Sequence, residues 1–470
     1  MLVFSGLVAQ AQFDKEKQTV IDELDKNFSK YSAVAKEIWS HAELGFLEDK
    51  SAAALQNLLK QAGFSVTNGV AGMPTAFVAT FGSGKPAIGI LAEYDALPGL
   101  SQQAIPTKSP LVEGGNGHGC GHNLFGTASV ASAIALKNWL VQSKKSGTIK
   151  LYGTPAEEGG AAKVYIARAG LLDGIDAVIN WHPTSQNDAS ASTCLAVIHG
   201  VFRFYGVSAH AAAAPERGRS ALDGVEAMNY MVNMMREHVP QESRIHYVIK
   251  NGGKAPNVVP DYAEVEYIIR SPEVDQVKEL WARVVKAGEA GAMGTETSVK
   301  IEITSGIYNL LPNETLAKLQ HANLTKVGGV KYTLEEEAFA KKLQESFEYK
   351  APPISEAQSV KEYRLGFFPA STDVGDISWL VPTVGLGTAT WVPGTSAHSW
   401  QAVAANGMSI GMKGMINAAK VMAMTGIDLY MNPSILTKAR EEFDNKRGKD
   451  FKYEALLGDR QPPLDFRKSN

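Results

Sequence analysis

Ala87-Ile88-Gly89-Ile90-Leu91-Ala92 and Thr148-Ile149-Lys150-Leu151-Tyr152-Gly153 are two short apolar runs. Runs of this length and composition predict buried β-strands. Between them lies a longer stretch, residues 127–142, that is compatible with a helix. The order strand, helix, strand is typical of a mostly parallel sheet covered by helices. We therefore predict an α/β domain, to which residues 75–80 and 176–181 contribute further strands.

The pattern changes between residues 197 and 304. Four segments alternate apolar and polar residues, which predicts strands, and two longer stretches have helical spacing. The strand segments are 202–207, 245–249, 263–269 and 299–303, and the helical stretches are 220–237 and 273–291. We predict that residues 197–304 form an inserted α+β (ferredoxin-like) domain, and that residues 13–196 and 305–470 together form a discontinuous catalytic domain.

Composition narrows the class of protein. The chain has 470 residues, of which 44% are hydrophobic and 20% charged, as in ordinary globular proteins. Its 46 basic and 49 acidic residues leave a net charge of -3, without a run of five like charges. Neither the composition nor the charge pattern predicts binding to nucleic acid. The sequence contains no run of eighteen apolar residues, the length that a membrane-spanning helix needs. A small-molecule substrate is the better expectation.

The first twelve residues contain a short apolar stretch followed by Ala9-Gln10-Ala11. This order fits the cleavage region of a secretory signal, although a basic segment before it is missing. Residues 1–12 are therefore interpreted as a signal-peptide remnant, which favours an exported or periplasmic protein. An apolar terminus on a cytoplasmic protein is the alternative.

The strongest local motif is His118-Gly119-Cys120-Gly121-His122-Asn123. Thiolate and imidazole are good ligands for zinc, manganese or cobalt, and glycine spacers let neighbouring side chains converge on one ion. The alternative is a glycine-rich loop around a buried thiol. Two histidines within two residues of the cysteine favour the metal site.

A pair of carboxylates, Glu157 and Glu158, follows the strand that ends at Gly153. Such a pair can simply begin a helix, where the helix dipole favours negative charge. Alternatively, one carboxylate binds a metal while its neighbour takes a proton from water and later gives it to the leaving amine.

Two more histidines follow predicted strands or turns. His182 comes directly after the strand at 176–181, and His398 lies in a turn-rich stretch after Pro393-Gly394. Either histidine alone would more often be structural. With Cys120, His122 and Glu158 they supply five donors, enough for two ions that share a site.

Three other residues have open roles. Glu93 and Asp95 end a buried strand on the same side, because side chains alternate with a period of two. They can be ligands, residues that orient a ligating histidine, or turn caps. His210 stands beside small residues and can donate to a developing oxyanion, or can be an ordinary strand-end histidine.

At these residues the chain resembles the dinuclear metal-dependent aminoacylase and carboxypeptidase family, in its amidohydrolase branch. The resemblance covers nearly the whole chain, from His41-Ala42-Glu43-Leu44-Gly45-Phe46 to the turn at His398. The resemblance implies that two divalent ions, manganese or zinc, are bound by Cys120, His122, Glu158, His182 and His398.

The resemblance also implies further roles. Glu157 would be the general base, and the inserted domain would be a dimerisation or lid domain. His210 would stabilise the oxyanion, in the active site of a partner subunit, and Asn257 would help to hold the substrate. Much of the family has a His-x-Asp motif where this chain has Glu93-Tyr94-Asp95. We count Asp95 among the catalytic residues, leave the roles of Glu93 and Asp95 open between ligand and orienting group, and place Asp373 near the site.

We therefore expect a metal-dependent amidohydrolase that cleaves N-acyl or N-aroyl amino acids such as p-aminobenzoyl-glutamate, as a homodimer or as a heterodimer with a related subunit. A dipeptidase or an N-acetyl-amino-acid deacetylase on the same site is the first alternative. A metal-binding, non-catalytic subunit that needs a partner chain is the second. Covalent catalysis by the Cys120 thiol is the third, and it has no need of the two carboxylates.

Overall fold

The computed structural model describes residues 15–468, so the predicted signal-peptide remnant, residues 1–12, lies outside the described residues. Residues 15–26 are helical. The α-helices that follow are α1 (Phe28–His41), α2 (Asp49–Gln61), α3 (His122–Ser143), α4 (Glu157–Gly160), α5 (Ala162–Arg168), α6 (Ala221–Met235), α7 (Val274–Gly294), α8 (Glu314–Val327), α9 (Leu334–Gln344), α10 (Val374–Ser378), α11 (Trp400–Asn406), α12 (Ser409–Met431) and α13 (Pro433–Arg447).

The strands form one six-stranded, one four-stranded and two two-stranded sheets among the described residues. They are β1 (Ser65–Asn68), β2 (Phe77–Ser83), β3 (Ala87–Ala92), β4 (Gly147–Gly153), β5 (Ala177–Ile179), β6 (His182–Thr184), β7 (Ala191–Cys194), β8 (Ala196–Tyr205), β9 (Arg244–Asn251), β10 (Tyr262–Ser271), β11 (Ser298–Ile307), β12 (Leu365–Phe368), β13 (Thr383–Val384) and β14 (Gly387–Ala389).

The six-stranded sheet confirms the predicted mostly parallel α/β fold. Its order is β1-β2-β4-β3-β5-β13, and β4, β3, β5 and β13 are parallel neighbours. All six residues of β3 are buried, as expected for a strand covered on both faces. β1 and β2 add an antiparallel edge. The carboxyl ends of β3 and β4 therefore meet at one edge, and the candidate site is built there.

Helix α3 crosses the core between the sheet and α12. It is long and apolar enough to cross a membrane by length and composition, but 83% of its apolar window is buried inside the protein. Its first residue is His122, so the helix that fills the core also carries a predicted metal ligand.

The strand predicted at 176–181 is shorter than expected. β5 ends at Ile179, and β6 begins at His182 in a separate two-stranded parallel sheet with β14. Trp181, between them, is fully buried and donates from its indole nitrogen to the carbonyl of Phe125 at 3.1 Å. Anchoring this bulky residue breaks the strand and turns His182 toward the start of α3.

The four-stranded sheet has the order β11-β8-β10-β9, and every neighbouring pair is antiparallel. With α6 after β8 and α7 after β10, the chain follows the β-α-β-β-α-β order of a ferredoxin-like unit, as predicted. Alternate residues of β10 are buried, which fits a sheet with helices on one face. The domain boundaries at 197 and 304 stay a prediction; β8 begins at Ala196 and β11 ends at Ile307.

Candidate metal centre

Glycines bring the Cys120 loop against β6. Gly121 has φ +84°, in the left-handed region, and a Cβ there would lie 2.7 Å from the side chain of Pro183. Only glycine allows both the backbone turn and this close approach. As a result, the Cys120 Sγ atom lies 3.4 Å from Nε2 of His182.

The predicted ligands converge. Three groups of donors each have their ligand atoms within 4.8 Å of one another: Cys120, His122 and His182; Cys120, Glu158 and His398; and Glu93, His122 and Glu157. Cys120 belongs to the first two groups, and His122 to the first and third. All five predicted ligands therefore lie at one place, together with the predicted base Glu157.

The turn that carries Glu157 and Glu158 is held in an unusual conformation. Ala156 and Ala161 have φ values of +50° and +53°. A non-glycine residue in this region costs about 1–2 kcal/mol and persists only where its surroundings hold it. The Ala156 amide donates to Oε1 of buried Glu48 at 2.8 Å, and the Glu158 amide donates to Oδ2 of Asp95 at 2.9 Å. These buried carboxylates hold the turn that carries Glu157 and Glu158.

His398 closes the site from the outside. Its φ is +57°, and its amide donates to the carbonyl of Gly119 at 3.0 Å. Its Nε2 lies 3.1 Å from Oε1 of Glu158, while 53% of its side chain stays exposed. The partly exposed imidazole places the opening of the site at this histidine.

Asp95 contacts His122 directly, the position of a residue that orients a ligand. Its Oδ1 lies 2.8 Å from Nδ1 of His122, and both side chains are fully buried. This contact leaves Nε2 of His122 facing the donor cluster, where Oε2 of Glu93 lies 3.1 Å away. Glu93 is thus adjacent to the ligands, although its role stays open.

Lys163 was not predicted from the sequence. It is fully buried, and its Nζ lies 2.6 Å from Glu93 Oε1 and 2.7 Å from Asp373 Oδ1. Asp373 also accepts from the Lys163 amide at 3.0 Å. A lone lysine in the otherwise apolar start of α5 was the available signal, because a buried lysine needs a counter-ion. Lys163 links Asp373 to the site through Glu93.

Electrostatics at the cluster favour a cation. Burial, together with Glu93 and Glu158, raises the pKa of Glu157 well above its usual value. Burial also raises the pKa of the Cys120 thiol. Burial opposes the ionisation of Asp95, but His122 outweighs it and lowers the pKa of that carboxyl. Bound positive charge would oppose the rise in the pKa of Glu157 and favour its ionised carboxylate.

The incomplete hydrogen bonding of the buried donors also fits a metal site. Glu93 Oε2, His122 Nε2 and Glu158 Oε1 are buried, and although each lies 3.1 Å from another donor of the cluster, none of them makes a hydrogen bond of good geometry among the described residues. Buried polar atoms are normally paired, so unpaired ones that converge call for an ion or a ligand. A mixed set of sulfur, nitrogen and oxygen donors suits divalent zinc or manganese.

His210 and Asn257 lie close to each other, and the hydrogen bonds described for them go to residues other than these donors. Both are exposed, and His210 forms an isolated antiparallel bridge with Val258. The Nδ1 atom of His210 accepts from the amides of Ala212 and Ala213, each at 3.2 Å. The Ala211 amide donates to the carbonyl of Asn257 at 3.0 Å. The described chain brings these two residues to each other but gives neither a hydrogen bond to the predicted metal ligands.

Residues 89–402 match the family described as Peptidase family M20/M25/M40. The matched residues include the five predicted ligands and both carboxylates of the turn. The chain belongs to this family. Members that resemble it along most of their length include one of the subunits of p-aminobenzoyl-glutamate hydrolase from Escherichia coli, 40% identical over 90% of this chain and 93% of that protein. The Xaa-Arg dipeptidase of Mus musculus is 30% identical over 94% of this chain and 95% of that protein.

Solved M20 structures share the fold. A dinuclear metal-binding M20 peptidase from Bacillus subtilis aligns with a TM-score of 0.60 and 16% identity, over 87% of this chain and 99% of that one. An aminobenzoyl-glutamate utilization protein from Klebsiella pneumoniae aligns with a TM-score of 0.59 and 16% identity, over 87% and 98%. Family membership and the converging donors identify this M20 chain as a metal-dependent amidohydrolase.

Proposed function

We propose that this amidohydrolase cleaves the amide bond between an aroyl or acyl group and an amino acid, with p-aminobenzoyl-glutamate as the leading substrate. The observation that carries the proposal is the convergence of five metal donors around the Glu157–Glu158 turn. The 40% identity to the Escherichia coli hydrolase chain, over nearly the whole length of both proteins, directs the choice of substrate.

Two ions, manganese or zinc, would be held by Cys120, His122, Glu158, His182 and His398. When bound, such ions supply Lewis-acid activation of the amide carbonyl and of water. Glu157 then takes a proton from the attacking water on its carboxylate and delivers it to the leaving amine nitrogen. Asp95 keeps His122 and Glu158 in place through its two contacts.

His210 is suited to stabilise the oxyanion. Because its Nδ1 accepts from two backbone amides, the ring proton is placed on Nε2, which is then free to donate. An N–H donor placed at a developing oxyanion lowers the barrier without a proton transfer. Asn257, on the neighbouring segment, would contact the substrate beside it.

We infer from the exposure of His210 that a second chain completes the active site. The edge strand β9 supports this, because Tyr247, Val248 and Ile249 are exposed on it and its outer backbone groups are open to another strand. A second copy of this chain or a related subunit would pair here. The Escherichia coli relative is itself named as one subunit of its enzyme.

Subunit mixing tests this arrangement. His210→Ala and Glu157→Gln should each be nearly inactive as pure dimers. In a mixed dimer, one site would keep Glu157 from one chain and His210 from the other, so we expect up to half of the wild-type activity per mixed dimer. The two chains are co-expressed with different tags and purified on both tags. A mixed dimer without activity would show that His210 does not act across the interface.

A substrate panel tests the reaction itself. Release of free amino acid is measured with purified chain, manganese or zinc, and matched N-aroyl, N-acetyl and dipeptide substrates that carry the same amino acid. We expect the highest kcat/KM for the aroyl-glutamate. Preference for a dipeptide would favour the alternative raised by the mouse Xaa-Arg dipeptidase. Activity that appears only with an added related chain would favour the non-catalytic subunit.

A further inference from the structure

Residues 449–468 contain no helix or strand, and they are here called the C-terminal strap. They lie outside the residues that match the family, which end at 402. The strap nevertheless contacts both the four-stranded sheet and the turn that carries Glu157 and Glu158, here called the catalytic turn. Its contacts, taken in order along the chain, show what it connects.

The first part of the strap is fixed at the end of β11. The Tyr308 hydroxyl donates to the carbonyl of Glu454 at 2.9 Å. Leu456 is buried, and a Cβ on Gly306 would lie 2.7 Å from its Cβ, so glycine lets the strap approach the strand closely. Arg460 donates to the carbonyl of Ile303 at 3.1 Å and pairs with Glu302. Side chains and backbone of β11 thus hold this part.

The middle of the strap is fixed on α5, the helix that directly follows the catalytic turn. Arg168 of α5 donates from Nη1 to the carbonyls of Gly458 and Arg460, at 2.7 and 2.8 Å. The Tyr165 hydroxyl donates to the carbonyl of Gln461 at 3.4 Å. Arg460 is therefore a junction: its side chain contacts β11 while its carbonyl is bound by α5.

The last part of the strap reaches the catalytic turn. The ring of Phe466 packs edge-to-face on Phe46 with centroids 5.8 Å apart, and a Cβ on Gly159 would lie 3.4 Å from it. Arg467 then donates from Nη2 to the carbonyl of Glu158 at 2.7 Å. The contact joins residues 309 positions apart in the sequence.

The Arg467 bond matters because of the backbone of Glu158. This residue has φ -73° and ψ +61°, outside the helical range, and Gly159 has φ +105°. Its amide is bound by Asp95 and its carbonyl by Arg467, so two side chains distant in sequence hold the peptide groups on either side of the residue. Holding both peptide groups restricts φ and ψ of Glu158, and so fixes the backbone from which its side chain reaches His398.

We propose that the C-terminal strap positions the Glu157–Glu158 turn, with Arg467 as the positioning residue for Glu158, and that it links this turn to the sheet of the inserted unit. The effect that we expect on activity rests on the proposed function, in which Glu158 is a metal ligand. The mechanical part, the fixing of the turn by Arg467, can be measured in metal-free protein.

The test compares full-length Arg467→Ala, Arg467→Lys and, as a matched control, Lys468→Ala, whose side chain is exposed. Hydrogen–deuterium exchange of metal-free protein is followed in the peptide that covers residues 154–162. For Arg467→Ala we expect about tenfold faster exchange there, about tenfold weaker metal affinity by chelator competition, and a lower kcat with KM changed less than about twofold. Arg467→Lys, which can still donate to a carbonyl, should recover most of each effect.

Unchanged exchange and unchanged metal affinity in Arg467→Ala would overturn the proposal. Equal changes of exchange and metal affinity in Lys468→Ala would also overturn it, because the changes would then come from the loss of a surface charge and not from the loss of the Arg467 bond. If the wild-type chain bound metal but cleaved none of the panel substrates, the proposed function would fail, while exchange and metal affinity would still decide the role of the strap.

Discussion

Replacing Glu157 with glutamine is expected to lower kcat about 10³-fold while both metal ions stay bound. The amide keeps the size of the side chain but cannot take a proton from water. Because five other donors are predicted to bind the ions, loss of the Glu157 charge should weaken ion binding far less than it lowers kcat. The measurements are single-turnover hydrolysis of an aroyl-glutamate and metal content of the purified variant.

Glu157→Asp is the matched control for this prediction. It keeps a carboxylate but withdraws it by one methylene, so its kcat should fall between those of wild type and the glutamine variant. Full turnover by Glu157→Gln would rule out the proposed proton transfer. Loss of metal together with activity would instead identify Glu157 as a ligand.

Replacing Cys120 with alanine is expected to abolish tight binding of both ions and to lower activity at least about 100-fold. Cys120 is a member of two of the three donor groups, one with His182 and one with His398. Removing a ligand that both groups share should weaken metal binding more than removing a ligand that belongs to only one group. His398→Ala, which belongs to only one of these groups, should keep one ion per chain. Metal content after dialysis measures the difference.

Cys194→Ala is the control, since the chain offers a second buried free cysteine. Cys194 contacts the Leu310 amide at 3.3 Å, and it belongs to none of the three donor groups. Its replacement should leave metal content unchanged. If alkylation of Cys120 stopped the reaction while both ions stayed bound and chelators had no effect, covalent catalysis by the thiol would replace the metal mechanism.

The fold was predictable where the chain carries strong local patterns. The fully apolar run of β3 and the alternating residues of β10 each identify their strand, because burial on two faces or on one face leaves a different sequence pattern. The break before His182 was not predictable. It depends on the contact of Trp181 with Phe125, a residue 56 positions away.

The candidate site divides in the same way. Cys120 and His122 stand in one short motif, and Glu157 and Glu158 in another, so residue type and spacing alone predicted metal chemistry. Lys163 stood out only as a lone lysine in an apolar stretch, and its partner Asp373, 210 positions away, could not be assigned from the sequence. Arg467 gave no signal either, since its function depends on a single carbonyl across the fold.

Residue types and local spacing were enough to specify which chemistry this protein can carry and which segments become strands and helices, because donors and hydrophobic periodicity are local properties. How the donors share the site depends on the packed fold, since Cys120, Glu158 and His398 meet only when β3, β4 and the late turn at His398 come together. The same packing makes buried Asp95 and Lys163, and the distant Arg467, hold the turn and its neighbours. Positioning of this kind depends on contacts between residues far apart in the chain, which no local pattern records.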